Sequence, residues 1–266
     1  MTAMTLPSET AKLSFGRVIQ ETFGVVRRNL GLFLTLIVGS LIIPGVIIGL
    51  GVMQFSTGGM TAGWSLIGLG YLVMMAAFAV LQPAMIHGAF ADLSGRRTTA
   101  SDCLSSGFRH AVPVFLIMLL SGIAMMFGFV LLVVPGLMML TAWLVGGPSQ
   151  VVEKTGVFGA FSRSAALTKN NRWRIFGLLV LYMVVYSVVQ QVLMNLAGAG
   201  MAARMAAAQS GNLNPFAAFG PAYWAVLAVM TVVNTLITYV GLAVIYFELR
   251  RVKEGVGPEA LASVFD

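Results

Sequence analysis

Charge is what this sequence has least of. Only 9% of its 266 residues are charged, against 58% hydrophobic, whereas soluble domains carry about a quarter charged residues. Such a chain belongs in lipid. Its nine acids, Glu9, Glu21, Asp92, Asp102, Glu153, Glu248, Glu254, Glu259 and Asp266, all lie outside the long uncharged runs. An ionisable group deep in a bilayer is costly and marks an ion path, a proton relay or a catalytic group. Their absence there argues against a proton- or sodium-coupled transporter built on intramembrane carboxylates, and leaves carbonyl-lined sites open.

Cysteine and histidine are nearly missing too. One cysteine, Cys103, excludes an intrachain disulfide and a cysteine-based zinc site. The two histidines, His87 and His110, sit at span ends in no H-E-x-x-H or similar pattern. No GxSxG, Walker or dinucleotide fingerprint occurs, and Ser162 and Ser164 have no histidine nearby in sequence. We therefore expect no enzyme activity and no cofactor. The first residues hold no apolar run followed by a small-residue cleavage site, so no removable signal peptide is expected.

What the chain does have is long apolar runs. A helix crossing about 30 Å of hydrocarbon needs about 20 apolar residues, and only a helix or a closed barrel satisfies its own backbone there. Residues 30–53, 64–86, 172–196 and 223–247 each fit one crossing. The 42 uncharged residues of 111–152 fit two, at 111–133 and 135–152, with a turn somewhere in 128–136. The fold class expected is all-α, a single integral membrane domain of six transmembrane helices, with tails at 1–13 and 251–266.

Fifteen of the 16 bases fall on one side of that topology, and only Arg204 falls on the other. By the positive-inside rule that side, with both termini, is cytoplasmic. Nucleic acid loses its support, because the bases are spread around span ends where anionic lipid accounts for them.

Three cytoplasmic stretches look alike, each an amphipathic segment ending in bases and leading into a span: residues 14–29, 98–110 and 156–169. The first places Phe15, Val18, Ile19, Thr22, Val26 and Leu30 at helical spacing, with Ser14 able to cap it. The unit reads as an interfacial helix followed by a two-span hairpin, three times over. Within the spans, Gln82, Thr141, Gln190, Gln191, Asn195, Thr231, Asn234, Thr235 and Thr238 suit interhelical hydrogen bonds, and Gly45 and Gly49 give a GxxxG spacing for close packing. The 17 methionines, Met201 and Met205 among them, read as flexible core packing rather than copper ligands. Residues 197–209 could extend the fifth span as a helix.

The most polar stretch, VVEKTGVFGAFSRSAALTKNNRWRIFGLLVL, lies at the cytoplasmic headgroup level. A tryptophan between two arginines suits an interface anchor. Arg163, Lys169, Arg172, Trp173 and Arg174 are the expected headgroup contacts, each base adding about 1 kcal/mol of attraction to acidic lipid. Glu153, at the end of the fourth span, is expected to pair with Arg163 or Arg172 and pin the interfacial helix to the bundle.

The same stretch carries a resemblance. VVPG, then P-S-Q-V-V-E, G-V-F-G-A-F-S-R-S and L-T-K-N-N-R-W-R-I-F resemble the glycerophosphoryl diester phosphodiesterase membrane-domain family and the related YciC-like bacterial inner-membrane proteins. Its motif positions are Pro135, Gly136, Glu153, Gly156, Arg163, Ser164, Leu167, Thr168 and Trp173, with no assigned chemistry. In fused members catalysis belongs to a separate soluble barrel that this sequence does not contain. The resemblance implies a stand-alone inner-membrane module in lipid handling or envelope upkeep. The expected partners are acidic phospholipids, with a second copy or another membrane protein also open. The alternative function is a facilitative carrier of an apolar or lipid-like substrate.

Overall fold

The computed structural model describes residues 13–57, 59–197, 206, 209 and 220–255. Regular structure among them is entirely helical, in the order α1 (Phe15–Arg28), α2 (Leu30–Ser56), α3 (Met60–Leu93), α4 (Ala100–Leu131), α5 (Val133–Trp143), α6 (Gly146–Glu153), α7 (Gly156–Thr168), α8 (Arg172–Leu196) and α9 (Pro221–Glu254). Five of these, α2, α3, α4, α8 and α9, are long and apolar enough to cross a membrane. Lys12, Arg204, Met201, Met205 and most of the expected extension over 197–209 lie outside the described residues.

The fourth expected span departs from the reading. Residues 135–152 do not form one helix but two, α5 of 11 residues and α6 of 8, about 17 and 12 Å long at 1.5 Å per residue. Neither alone reaches across about 30 Å. The break falls at Leu144 and Val145, just ahead of Gly146-Gly147-Pro148. Two poor helix formers precede a proline that has no N–H for Leu144 and whose ring crowds that carbonyl. The turn before α5 is a single extended residue, Leu132 (φ −163°, ψ 147°). Pro135 thus sits in the first turn of α5, where its missing N–H costs nothing.

A second correction concerns the interfacial helix expected over 98–110. It is no separate element but the first part of α4, a continuous 32-residue helix. Thr99 starts it with a capping box: its Oγ1 accepts from the Asp102 N–H at 3.3 Å, and the Asp102 carboxylate accepts from the Thr99 N–H at 3.1 Å. The segment stands along α3 because Gly107 lets the backbones meet. A Cβ there would lie 2.6 Å from the Val80 carbonyl oxygen.

Helix α1 does form as its own element, and Ser14 precedes it with no side-chain capping bond. Its apolar residues divide between two faces. Val18, Thr22 and Val25 are buried, packing on α9 and α3, while Phe15, Ile19 and Phe23 point outward. Helix α7 buries Ala160, Ser164, Leu167 and Thr168 and exposes Phe158.

Close packing in the α2–α3 hairpin comes from glycines other than the expected pair. A Cβ at Gly70 would meet Ile48 Cγ1 at 2.5 Å, and one at Gly51 would meet Ile67 Cγ1 at 2.8 Å, whereas Gly45 and Gly49 face open space.

The core is concentrated toward one end. Phe33, Met85, Ile86, Phe90, Tyr246 and Leu249 are fully buried there, where α1 and α7 lie against the closing turns of α3 and α9. Helices α3 and α9 each have 34 residues, about 51 Å, well beyond the hydrocarbon thickness. Their surplus length builds this packed end.

Candidate functional site

The end where α9 closes carries the polar chemistry of the molecule, and α6, α7, α8 and α1 converge on it. Helix α6 stops at Glu153. Lys154 (φ 52°) and Gly156 (φ 75°) then turn the chain through left-handed conformations, which glycine adopts without strain. Helix α7 consequently runs back along α6 and α5.

That reversal lets α7 mend the break in the return leg. The carbonyl oxygen of Ala142, in the last turn before the break, accepts from Ser164 Oγ at 2.8 Å, and Thr168 Oγ1, which donates at 2.9 Å to Ser164 O on its own helix, lies 3.3 Å from it. Ser149 Oγ, itself buried, donates to Gly146 O at 2.9 Å and weakly to Ala160 O at 3.4 Å. A buried carbonyl without a donor costs about 1–3 kcal/mol, so these hydroxyls make the broken helix tolerable inside the bundle. Ser164 and Thr168 belong to the motif quoted above; a proline-induced break facing a Ser-x-x-x-Thr pair one turn apart is the signal for their role.

Glu153 is the hub of the charged cluster. Arg163 Nε donates to both its oxygens, at 2.9 and 2.7 Å. The Tyr246 hydroxyl donates to Glu153 Oε1 at 2.5 Å, and Arg250 Nε approaches the same oxygen at 3.8 Å. Glu254 closes the ring, accepting from Arg250 Nε at 2.8 Å and pairing with Arg163 Nη2. Partial burial works against the Arg163 charge, but the hydrogen bonds to Glu153 and Glu254 outweigh it and raise its pKa above the usual arginine value. Arg172 is not among the partners of Glu153 in the described residues.

Two further pairs tie α1 down. Glu248, only 1% exposed, faces Arg17 at 3.3 Å and Arg251 at 3.5 Å. Asp92 takes a bidentate contact from Arg28 at 2.6 and 3.0 Å, and this hydrogen bonding raises the Arg28 pKa against a smaller cost of burial. The start of α1 is also clamped to the start of α8: Asn171 Oδ1 accepts from the Leu13 N–H at 3.2 Å, and Arg174 donates to the Leu13 carbonyl at 2.7 Å.

The five headgroup candidates thus separate. Arg163 is occupied by carboxylates and Arg174 by a backbone carbonyl. Lys169 and Trp173 are exposed, the indole at 84%, with Trp173 edge-on to Phe176. Arg172 is half-buried with its Nε enclosed and unpartnered. Lys253 was missed by the sequence reading as part of this group. It donates to Ala166 O at 2.7 Å, capping the C-terminus of α7.

The polar residues of the spans do not meet in one place. Tyr182 donates to Asn234 Oδ1 at 2.6 Å, pinning α8 to α9. Gln82 and Gln150, each 6% exposed, lie where α3 faces α6, with their Oε1 atoms unpartnered. His110 Nδ1 lies 2.9 Å from Ser106 O on its own helix. Among the described residues no group of three His, Cys, Asp or Glu side chains could hold a metal ion.

Residues 61–248 match the family described as "Domain of unknown function (DUF7847)". Neither a curated protein nor a solved structure matches the chain. The matched region takes in more than half of the sequence, from α3 to the last turns of α9, and the chain belongs to that family.

Proposed function

We propose, from the long apolar helices and the geometry of the basic end, a non-enzymatic, multi-pass protein of the bacterial inner membrane. Its cytoplasmic rim associates with acidic phospholipid. The resemblance to the glycerophosphoryl diester phosphodiesterase membrane-domain family points the same way, toward lipid handling or envelope upkeep. Six passes are supported by the return leg: α5 and α6 together carry the chain from the far end of α4 back to Glu153, beside Tyr246 near the end of α9. An even number of passes puts both termini on the basic side, which the positive-inside rule assigns to the cytoplasm.

The observation that carries the reading is the pairing of cations with outward aromatic and apolar side chains around the basic end. Trp173 lies between Arg172 and Arg174, Phe158 on α7, and Phe15, Ile19 and Phe23 on α1, all exposed. Such a belt suits the boundary between acyl chains and phosphates. Native mass spectrometry of the gently solubilised chain tests it. Enrichment of phosphatidylglycerol over phosphatidylcholine is expected, and equal retention of the two would reject the reading.

A facilitative carrier of an apolar or lipid-like substrate is the second reading. It is favoured by the broken return leg and the unpartnered Gln82 and Gln150 beside it, since broken helices line substrate sites in many transporters. Substrate-dependent flux in proteoliposomes, lost in Gln82→Leu, would establish it over the accessory role.

A further inference from the structure

The lipid-binding reading can be narrowed to one place. At the junction of α7 and α8, Lys169 lies exposed one residue beyond the C-terminus of α7, and Arg172 opens α8. Lys253 reaches in from α9 to the carbonyl of Ala166. Ala166 lies in the last turn of α7, so this bond brings Lys253 to the same helix end as Lys169. Among the described residues the carboxylates of this end are committed elsewhere: Glu153 and Glu254 to Arg163 and Arg250, and Glu248 to Arg17 and Arg251.

Donors at this junction are left over. Arg172 Nε is enclosed and has no partner. Lys253 uses one of its three N–H groups on Ala166. Asn171 stands at the N-cap of α8, but its oxygen is spent on Leu13, so the first turn of α8 has no side-chain cap. Uncapped N–H groups at a helix start, with the positive end of its dipole, attract an anion. Asn170 (φ 69°) holds the connecting turn in the left-handed conformation that asparagine tolerates. The exposed Trp173 indole adjoins all of this and provides an apolar flank.

We propose that Lys169, Arg172, Lys253 and the first turn of α8 form a discrete binding site for a phosphate group, that of one anionic phospholipid whose acyl chains lie against Trp173 and the outer face of α8. This rests on the lipid-associated reading above and adds to it a single address. Unlike single bases of the rim, the site sets three cations and the first-turn N–H groups of α8 around one phosphate, so it keeps the lipid in salt that screens isolated exposed charges.

The test uses the full chain in neutral detergent with phosphatidylglycerol, read by native mass spectrometry at low salt and after a wash in 1 M salt, where the screening length is about 3 Å. One phosphatidylglycerol is expected to survive the wash on the wild type. Retention should fall at least about tenfold in Lys169→Gln/Arg172→Gln/Lys253→Gln and stay near wild type in the charge-matched Arg27→Gln/Arg97→Gln/Lys154→Gln. Lys169→Gln alone, at an exposed side chain outside the packing, guards against misfolding of the triple variant and should lower retention by about threefold to tenfold. Equal losses in both triple variants, or none in either, overturn the discrete site while leaving a general acidic-lipid preference intact. No preference for phosphatidylglycerol over phosphatidylcholine at any salt overturns both. Inorganic phosphate that displaces the lipid at equal concentration would assign the site to a soluble phosphate instead.

Discussion

The two ends of the bundle are held together by different means. At the basic end, Phe33, Phe90, Tyr246 and Leu249 are sealed from solvent and surrounded by the Glu153, Glu248 and Asp92 ion pairs. Toward the other end, Ile43, Met53, Leu72, Met126, Val130 and Met183 are all exposed on their helices. Lipid tails are as apolar as leucine, so the far end gains little by burying such side chains, and its helices meet through glycines instead. In the proposed membrane placement the basic end lies level with headgroups and water, where burial of apolar surface is favourable and polar groups need partners. The chain therefore places its conventional core outside the hydrocarbon and leaves the hydrocarbon to the membrane.

The largest effect should come from the hub of the basic end. Glu153→Ala leaves the Tyr246 hydroxyl without its acceptor and Arg163 and Arg250 with Glu254 alone, and a loss of about 2–4 kcal/mol is expected in reversible unfolding from mixed micelles. Glu153→Arg combined with Arg163→Glu should recover only part of its yield, because the exchange restores one of the three contacts. Full recovery would reduce the hub to a single pair.

Next is the mended break. Ser164→Ala with Thr168→Val strips the Ala142 carbonyl of its donor and of the second hydroxyl beside it, for an expected loss of about 1–3 kcal/mol in the same assay. Either change alone should cost less, since the other hydroxyl remains. Equal costs for the single and double variants would mean that the carbonyl finds another partner.

Within the far end, glycine position should matter more than apolar identity. Gly70→Ala pushes a methyl onto Ile48 and is expected to cost about 1–3 kcal/mol, whereas Gly45→Ala enters open space and should stay within about 0.5 kcal/mol. Smallest of all, Val184→Leu and Val188→Leu on the exposed face of α8 should shift stability by less than about 0.5 kcal/mol. A cost there comparable to Gly70→Ala would point to a partner on that face.

Which parts of this were legible in the sequence follows from what each feature depends on. Apolar runs and scarce charge are sums over many residues, so the helical membrane class and five long apolar helices were readable, although α3, α4 and α9 run 7, 11 and 7 residues past the expected bounds of 64–86, 111–133 and 223–247. The break between α5 and α6 depends on Gly146-Gly147-Pro148 and on hydroxyls 22 and 26 residues beyond Ala142; hydropathy, which averages over windows, sees only a 42-residue apolar run. The continuity of α4 was hidden because its first part is amphipathic, and an amphipathic face reads alike whether it lies on lipid or on α3. Thr99-Ala-Ser-Asp102 was the overlooked start signal. At the charged end the pattern gave both Arg163 and Arg172 as partners of Glu153, and only the turn through Lys154 and Gly156 brings Arg163 onto it. Lys253, 84 residues beyond Lys169 in sequence, could be joined to that group only by the fold.

Sidedness is the premise on which the lipid reading stands, and single-cysteine labelling tests it most directly. In a Cys103→Ala background, whose native thiol is buried in any case, Lys169→Cys and Met60→Cys mark opposite ends of the bundle. The account expects a membrane-impermeant maleimide to label Met60→Cys in intact cells and Lys169→Cys only once the cytoplasmic face is opened. Labelling of Lys169→Cys from outside intact cells, or of both positions from the same side, would contradict it.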